Sequence, residues 1–209
     1  MKNFSRKAVL LFVILAFLFS VSVEKAEATC PSGYTSQNVS MTVFGCPVTL
    51  VICLHCSPSG SVAPMVIIEK FIVEDVGCST STSPSHTMNE IYEQALIQMR
   101  ILVASLCSTI PCSQGHTVVT LKRPVCVYNE YKNINGVLTF NYVGCNATSY
   151  CVITYDLCYE IVNGIVVPVV SNISKFQTGT PECSSTVIPF DPDQTSDYST
   201  SCYALPCDN

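Results

Sequence analysis

Cys107-Ser-Thr-Ile-Pro-Cys112 recurs as Cys202-Tyr-Ala-Leu-Pro-Cys207, and the cysteines that precede each copy recur with it. The first set is Cys46, Cys53, Cys78, Cys107 and Cys112, and the second set is Cys151, Cys158, Cys183, Cys202 and Cys207. Successive steps are 7, 25, 29 and 5 residues in the first set and 7, 25, 19 and 5 residues in the second. Such self-similarity indicates that one structural unit was copied within the chain. We therefore predict a mainly β protein of two tandem, disulfide-stapled antiparallel meander modules, spanning residues 29–116 and 117–209.

Residues 1–28 have the features of a cleaved signal peptide. Basic residues within positions 1–7 precede an apolar run at 8–23, and Ala26-Glu27-Ala28 matches the small-residue pattern of a signal-peptidase site. The run has 16 residues, whereas a membrane-spanning helix needs about 20. Thr29 before Cys30 departs from the pattern of a lipidated cysteine. We expect a secreted or cell-surface protein with no lipid anchor and no membrane span after signal removal.

The charge of the mature chain argues against nucleic acid as a partner. Removing the signal peptide takes away four of 10 basic and two of 15 acidic residues, which leaves 6 − 13 = −7. Binding to phosphates requires clustered basic residues, and Lys122-Arg123 is the one adjacent pair left in the mature sequence. Charged residues are also scarce, at 12% of the chain against about 25% in an average soluble domain. A surface so poor in charge favours contact with other copies or with another extracellular or surface protein.

All 14 cysteines follow the predicted cleavage point, and an even number at patterned spacing in an exported chain predicts a disulfide framework. Its members are Cys30, Cys46, Cys53, Cys56, Cys78, Cys107, Cys112, Cys126, Cys145, Cys151, Cys158, Cys183, Cys202 and Cys207. A zinc site is the rival interpretation, but Cys53-Leu-His-Cys56 has no second couple to complete it. That couple also closes a predicted strand, whereas a redox site places its first cysteine at a helix N-terminus. We expect no metal and no cofactor.

Strand geometry restricts how these cysteines pair. If Tyr150–Val162 is one unbroken strand, Cys151 and Cys158 lie about 23 Å apart on opposite faces, beyond the roughly 7 Å limit for a bridge. The same argument applies more weakly to Cys46 and Cys53. Once Cys30 is matched with Cys126, two cysteines lack counterparts, Cys56 and Cys145. We hypothesise that these two join the modules.

Hydrophobic periodicity and turn residues predict the elements of each module. The first module is predicted to contain strands at 38–44, 48–55 and 62–73, followed by a helix at about 87–106. Thr87 and Glu90 form a capping box at its start. Its apolar face comprises Met88, Ile91, Ala95, Met99, Leu102 and Leu106, while Glu90, Glu93 and Arg100 face away. The shorter 183–202 step and its prolines argue against a matching helix in the second module.

The second module is predicted to contain strands at 117–124, 126–132, 137–143, 150–162 and 165–170. Asn135-Gly136 lies between the strands at 126–132 and 137–143, and Asn163-Gly164 lies between those at 150–162 and 165–170. Asn-Gly favours the type I′ turn of a hairpin. Pro168 restricts its strand to an edge of the sheet. Periodicity leaves open whether the modules share one sheet or form two packed sheets.

The polar residues that could form a catalytic site do not match the sequence pattern of one. His55, His86 and His116 are not in the context of a catalytic base, and no Gly-x-Ser-x-Gly motif occurs in the sequence. We interpret each histidine as a polar surface residue and expect no enzymatic activity.

Two further patterns concern ions and glycans. Asp191, Asp193, Thr195 and Asp197 offer oxygens at alternating positions as in a calcium loop, but Ser196 replaces its glycine and Cys202 its final glutamate. We interpret this segment as a solvated acidic loop and keep calcium as the weaker alternative. Asn38, Asn146 and Asn172 each begin a glycosylation sequon, which matters if the host glycosylates exported chains.

Two functional hypotheses follow. The first is a non-catalytic extracellular or cell-surface protein with a structural, adhesive or self-assembling role, because charge is scarce, strand edges are expected and no catalytic set is evident. The alternative is a soluble secreted binding module, inhibitor-like or effector-like, which presents a loop such as 57–64 on the disulfide-stapled scaffold.

Overall fold

The computed structural model describes residues 30–56, 63–81, 85–107, 109–145, 148–184 and 196–207. The predicted signal peptide lies outside these ranges. The strands within them are β1 (Thr35–Val43), β2 (Cys46–His55), β3 (Met65–Val73), β4 (Thr117–Pro124), β5 (Cys126–Ile134), β6 (Val137–Gly144), β7 (Tyr150–Val162), β8 (Ile165–Thr178), β9 (Tyr198–Ser199) and β10 (Tyr203–Ala204). The helices are α1 (Cys78–Ser81) and α2 (Met88–Leu106), and a 3-10 turn spans Cys112–Gln114. The chain is thus mainly β with one long helix, as predicted.

Both predicted modules contribute to a single sheet, which resolves the question that periodicity left open. Strands β1, β2 and β3 form the predicted antiparallel meander. The other edge of β3 is divided between two strands of the second module. Its residues Met65–Ile67 pair in parallel with β4, and its residues Lys70–Val73 pair antiparallel with β6. Two branches leave β3 in this way, one through β4, β7 and β8 and the other through β6, β5 and the short β9 and β10.

The Asn-Gly turns have the backbone that type I′ hairpins require. Asn135 and Gly136 have φ of 55° and 86°, and Asn163 and Gly164 have φ of 53° and 79°. Positive φ at both central positions matches the twist of the flanking strands, because it mirrors the common turn. The hairpins β5–β6 and β7–β8 are therefore confirmed with their predicted turns.

Strand β8 extends past its predicted end at residue 170 to Thr178. Asp156 pairs with Ser171 and Thr154 with Ser174, so β8 contains one extra residue between these two pairs. Asn172 lies in this bulge with φ of 49°, a conformation that asparagine tolerates better than most residues.

Helix α2 begins as predicted, with a complete capping box. The Glu90 backbone N–H donates to Thr87 Oγ1 at 3.2 Å, and the Thr87 backbone N–H donates to Glu90 Oε2 at 2.8 Å. The Thr87 backbone N–H, and after it the Thr87 hydroxyl that lies 3.1 Å from Glu90 Oε2, lower the pKa of the Glu90 carboxyl by hydrogen bonding to its charged form.

The face of α2 that packs on the sheet differs in part from the prediction. Its buried residues are Met88, Ile91, Tyr92, Ala95, Leu96, Met99 and Val103. Leu102 and Leu106, expected on this face, are only partly buried. The helix packs with a broader stripe, because Tyr92, Leu96 and Val103 lie between the rows that spacing alone selects.

Arg123 is a buried arginine that the sequence did not reveal. Its side chain is 0% exposed, and it lies on β4 opposite Cys151. Its Nη1 donates to the Leu205 carbonyl at 3.3 Å, and its Nη2 donates to the Pro206 carbonyl at 2.5 Å. Buried charge is costly unless it is paired and hydrogen-bonded, so these contacts fix the C-terminal segment against the sheet.

Glu93 of α2 completes the environment of this arginine. Its Oε1 lies 3.4 Å from Arg123 Nη2, and its Oε2 lies 3.8 Å from Lys175 Nζ. The prediction that Glu93 simply faces away from the sheet is therefore wrong. A helical carboxylate can reach over the rim of the packing face when a cation is buried beneath it.

All fourteen cysteines form disulfides, and none of them is free. The bridges are Cys30–Cys53, Cys46–Cys78, Cys56–Cys107, Cys112–Cys158, Cys126–Cys183, Cys145–Cys202 and Cys151–Cys207. Neither Cys151 with Cys158 nor Cys46 with Cys53 is paired, as strand geometry required.

The hypothesis that Cys56 and Cys145 join the modules is wrong. Cys56 pairs with Cys107 inside the first module, and Cys145 pairs with Cys202 inside the second. The bridge that crosses between the modules is Cys112–Cys158. Sequence spacing could not identify it, because Cys112 reaches the sheet through a 3-10 turn whose position depends on tertiary packing. The internal duplication itself stays a prediction.

An aromatic cluster fills the core between α2 and the second branch of the sheet. The Phe71 and Tyr92 rings lie 4.9 Å apart, and those of Phe140 and Tyr142 lie 4.8 Å apart. Tyr203, 1% exposed, donates a hydrogen bond from its hydroxyl to Asn129 Oδ1 at 2.5 Å. Burial raises the pKa of Tyr203 to about 12, and burial also raises the pKa of Tyr142 well above its ordinary value.

Thr87→Ala should lower the free energy of unfolding by about 1 kcal/mol, because the N-cap oxygen no longer satisfies a backbone donor. Urea denaturation of the oxidised protein measures this change. The matched control is Ser105→Ala, which removes a hydroxyl that bonds the Leu102 carbonyl on the same helix but caps nothing, and it should change stability by less than about 0.5 kcal/mol. Equal effects of the two substitutions would contradict the capping role.

The stability of the fold should decline at alkaline pH. A tyrosine whose pKa is raised in the folded state contributes stability that is complete below about pH 10, the ordinary tyrosine value, and that is lost as the pH rises through about 12 for Tyr203. The measurement is urea denaturation between pH 9 and pH 12, after brief exposure that leaves the disulfides intact. Tyr203→Phe should reduce this pH dependence, and an unfolding free energy that stays constant to pH 12 in the native sequence would refute the assignment.

Candidate interaction surface

The outer part of the β7–β8 hairpin is exposed on both faces. Every side chain from Glu160 to Val167 is exposed, including those of five apolar residues. Their exposed fractions are 69% for Ile161, 47% for Val162, 67% for Ile165, 60% for Val166 and 39% for Val167. Isolated surface hydrophobics are ordinary, but a contiguous group of this kind indicates a contact site. We refer to residues 160–167 as the apolar hairpin tip.

The base of this hairpin is fixed to the rest of the protein. Cys158 of β7 is bridged to Cys112, and the next residue, Tyr159, donates its backbone N–H to the Ile110 carbonyl at 3.0 Å. Buried neighbours such as Leu157 precede these anchors. The tip therefore projects from a fixed base, and little ordering entropy remains to be lost when it binds.

The tip contains a single charged side chain. Glu160 is its one ionisable residue, and the Asn163-Gly164 turn supplies its polar end. Strand β8 is also an edge of the sheet in the described part of the chain, since β7 is its strand partner there. This confirms the prediction that Pro168 belongs to an edge strand.

Two of the three histidines lie near an acidic side chain: His86 Nδ1 is 3.8 Å from Glu90 Oε2 on the exposed start of α2, and His116 is paired more closely with Asp156. The His116 Nε2 lies 3.3 Å from Asp156 Oδ2, and the Asn172 side-chain amide donates to the same oxygen at 2.6 Å. The histidine ring is about half exposed, and the carboxylate is mostly covered, at 53% and 12% exposure. Within the described ranges, neither His116 nor Asp156 hydrogen-bonds a hydroxyl or thiol side chain. The pair connects the start of β4 to β7.

The other two histidines contact neighbouring structure. His55 Nδ1 lies 2.8 Å from the Gly33 carbonyl, which ties the N-terminal turn to β2. His86 stacks on Phe44 with ring centroids 3.8 Å apart. Phe44 occupies a turn position with φ of 49°, so this stacking contact stabilises an unfavourable backbone conformation.

The remaining candidate groups are separated in space or lie outside the described ranges. Cys53 and Cys56 bond to different partners and form no couple. Asp191 and Asp193 lie outside the described residues, whereas Asp197 Oδ1 accepts the Asn133 backbone N–H at 2.8 Å. Among the residues that the structure describes, no three acidic, histidine or cysteine side chains form a group suited to a metal ion.

The three sequons have different surroundings. Asn38 is exposed on β1, the other lateral strand of the sheet. Asn172 is exposed in the β8 bulge, where its amide nitrogen is bonded to Asp156. Asn146 lies outside the described residues.

A shallow cleft of about 430 Å³ lies between two disulfides. It is lined by Cys126, Tyr128, Gly144, Cys145, Glu182, Cys183 and Cys202. Its cysteines belong to the bridges Cys126–Cys183 and Cys145–Cys202, so they offer no thiolate. Among the described residues that line it, Glu182 is the one acidic group.

Comparison with known proteins finds no relative: no protein-family model, no curated protein and no solved structure matches the chain. In the described part of the chain, none of the helices has the length and apolar character needed to cross a bilayer. The protein is a disulfide-rich β protein with an apolar projection, features in keeping with an extracellular location.

The sequence predicts the β7–β8 hairpin but not its exposure. Adjacent apolar residues at 161–162 and 165–167 make both faces of the hairpin apolar, and such a pattern ordinarily indicates a strand buried on both sides. The loss of polar alternation was the available signal. The exposure of the hairpin depends on how far the rest of the sheet extends beside it. Strand β4 pairs with β7 only as far as Leu157, so the hairpin tip lies beyond the end of this pairing.

Ile161→Ala should leave the stability of the monomer within about 0.5 kcal/mol of the original value, because this side chain contributes little to the core. Ile153→Ala on the same strand removes a fully buried side chain and should cost about 2–5 kcal/mol. Urea denaturation at low protein concentration compares them. A similar cost for both substitutions would show that the tip packs against the protein itself.

Proposed function

We propose that the mature chain works outside the cell as a non-catalytic structural or adhesive protein that assembles with neighbouring copies or surfaces. The observation that carries this proposal is the apolar hairpin tip, held on a frame in which every cysteine is oxidised. An exported protein gains from such bridges because they replace part of the stabilisation that a larger core would provide.

The distribution of polar groups supports a role in contact with other molecules. The histidines fasten turns and strands, as His55 does with Gly33 and His86 does with Phe44. The mature chain is predicted to carry a net charge of 6 − 13 = −7, and the tip carries one acidic residue. A sparsely charged surface with a projecting apolar group is suited to association.

Purified mature protein provides the test. Export from an expressing cell should leave Thr29 at the N-terminus, and a thiol assay of the folded product should find no free cysteine. Sedimentation velocity at rising concentration should then show association, or the protein should bind to the surface of its own cells. A strict monomer at high concentration that binds no surface would refute the proposal.

One result would favour the alternative function. Recovery of a specific one-to-one partner from the extracellular medium would indicate a binding module, with the hairpin tip as the presented segment. Loop 57–64, the segment that the sequence suggested for this purpose, lies largely outside the described residues, since 57–62 are not described.

A further inference from the structure

Two disulfides lie side by side at the end of the β5–β6 hairpin that is remote from its turn. They are Cys126–Cys183 and Cys145–Cys202. All four of these cysteines line the shallow cleft of about 430 Å³. We refer to them as the four-cysteine cluster.

The bridge Cys145–Cys202 is the most accessible of the seven. Cys202 is exposed and Cys145 is half-buried. Each of the other six bridges contains at least one buried cysteine, and in Cys126–Cys183 this is Cys126. An external thiolate must reach a sulfur of the bridge that it attacks, so access limits the rate of exchange. We therefore expect an external thiol to react first at Cys145–Cys202.

The register of the hairpin places Cys126 opposite Cys145. Val127 pairs with Gly144 in the antiparallel ladder, so the next pair along it is Cys126 with Cys145, with both side chains on one face. The Cys145 N–H donates to the Cys126 carbonyl at 2.9 Å. The Cα atoms of such a hydrogen-bonded pair are about 5.5 Å apart, which lies within the range of roughly 4.4–6.8 Å that a disulfide spans. These two cysteines are thus placed to bond to each other.

The other two cysteines of the cluster are also neighbours. Ser184 forms a parallel bridge with Tyr203, and the Ala204 N–H donates to the Ser184 carbonyl at 2.6 Å. Cys183 and Cys202 directly precede the bridged residues and therefore lie opposite each other in the same register. Neighbouring strands are about 4.8 Å apart, which a disulfide also spans.

The four-cysteine cluster thus allows two complete pairings. One is the observed pairing, and the other consists of Cys126–Cys145 and Cys183–Cys202. We propose that the cluster is a thiol–disulfide exchange site, at which a small external thiol interconverts the two pairings. This inference goes beyond the proposed function and does not depend on it.

Three exchanges complete the conversion, and in each a thiolate attacks a sulfur while the leaving sulfur takes the electron pair of the broken bond. The external thiolate attacks Cys202 Sγ, forms a mixed disulfide and releases the Cys145 thiolate. Cys145 then attacks Cys126 Sγ opposite it and releases the Cys183 thiolate. Cys183 attacks Cys202 Sγ of the mixed disulfide and releases the external thiolate. The number of disulfides is unchanged and the thiol is regenerated, so neither an oxidant nor a reductant is consumed.

The exchange changes what the bridges connect. In the observed pairing both of them join the segment after β8 to the β5–β6 hairpin. In the alternative pairing one bridge lies within the hairpin and the other within the segment. The segment then keeps its pairing through β9 and β10 and the bridge Cys151–Cys207. The exchange therefore loosens this end of the sheet without opening the core.

The charge at the cleft favours one class of thiol. Glu182 is exposed and lines the cleft, and the mature chain is predicted to carry a net charge of 6 − 13 = −7. An anionic thiol is repelled by such a site and a cationic thiol is attracted, which at a solvated surface changes rates by about threefold. A cationic aminothiol is therefore the favoured reactant.

Disulfide mapping of the purified, oxidised mature protein tests the exchange. The protein is incubated with cysteamine at about pH 8, acidified and digested with pepsin, because protonated thiols do not exchange. Mass spectrometry should detect peptides linked by Cys126–Cys145 and by Cys183–Cys202, with no loss of total disulfide. Failure to detect these peptides, or a different bridge opening before Cys145–Cys202, would overturn the inference.

A double substitution tests the geometry without added thiol. Cys183→Ser with Cys202→Ser leaves Cys126 and Cys145 without their observed partners. The two remaining cysteines should bond to each other during export, so that a thiol assay of the folded protein finds none free.

The matched control is Cys158→Ser with Cys202→Ser, which leaves Cys112 and Cys145. These two are separated by most of the length of β7, because Cys112 bridges to its outer part while Gly144 lies beside Pro124 at its start. Both should stay free in this variant. Equal thiol contents in the two double variants would contradict the placement of the cluster.

Glu182→Gln tests the class of thiol. It should lower the ratio of the exchange rate with cysteamine to that with 2-mercaptoethanesulfonate by about threefold. Glu160→Gln on the hairpin tip removes a carboxylate outside the cleft and should leave this ratio unchanged. The same ratio in Glu182→Gln as in the native sequence would overturn the preference for a cationic thiol.

Discussion

The two edges of β3 hold the sheet together. One edge pairs along its length with β2, while the other is divided between β4 and β6. Because the two second-module strands occupy successive parts of the same edge, neither can extend fully along β3, and the sheet separates into two branches. One branch carries β7 and β8 outward, and the other carries the aromatic cluster beneath α2.

Disulfides fasten these branches where hydrogen bonding is incomplete. The bridges close sequence separations from 23 to 57 residues, which in the chain-entropy model correspond to about 3–4 kcal/mol each. Cys112–Cys158 fixes the hairpin where β4 stops covering β7. Cys151–Cys207 and the buried Arg123 both fix the C-terminal segment, one through a covalent bond and the other through the Leu205 and Pro206 carbonyls. A chain with few charges thereby obtains a rigid frame without a large network of ion pairs.

The rigid frame has a consequence for function. A flexible apolar hairpin would fold back onto the protein and hide its side chains, whereas one anchored at Cys158 and Tyr159 presents them outward. Strand β8 also carries features that restrain uncontrolled edge pairing, namely Pro168, the bulge at Asn172 and Lys175. Pro168 obstructs strand addition in the first part of β8, and the bulge and Lys175 obstruct it in the second part.

Local chemistry in the sequence determined the elements themselves. Asn135-Gly136 and Asn163-Gly164 specify their turns because both positions need positive φ, and Thr87 with Glu90 specifies the start of α2 because the two residues satisfy each other's backbone donors. That Cys151 and Cys158 do not form a disulfide with each other followed from the length of an extended strand alone. Tertiary structure decided what such local rules do not contain: the shared edge of β3, the partners of Cys56, Cys112 and Cys145, the burial of Arg123 and the exposure of the hairpin tip. Each of these depends on contacts between residues distant in the chain, and hydrophobic periodicity specifies which face of an element is apolar but not which neighbour covers it.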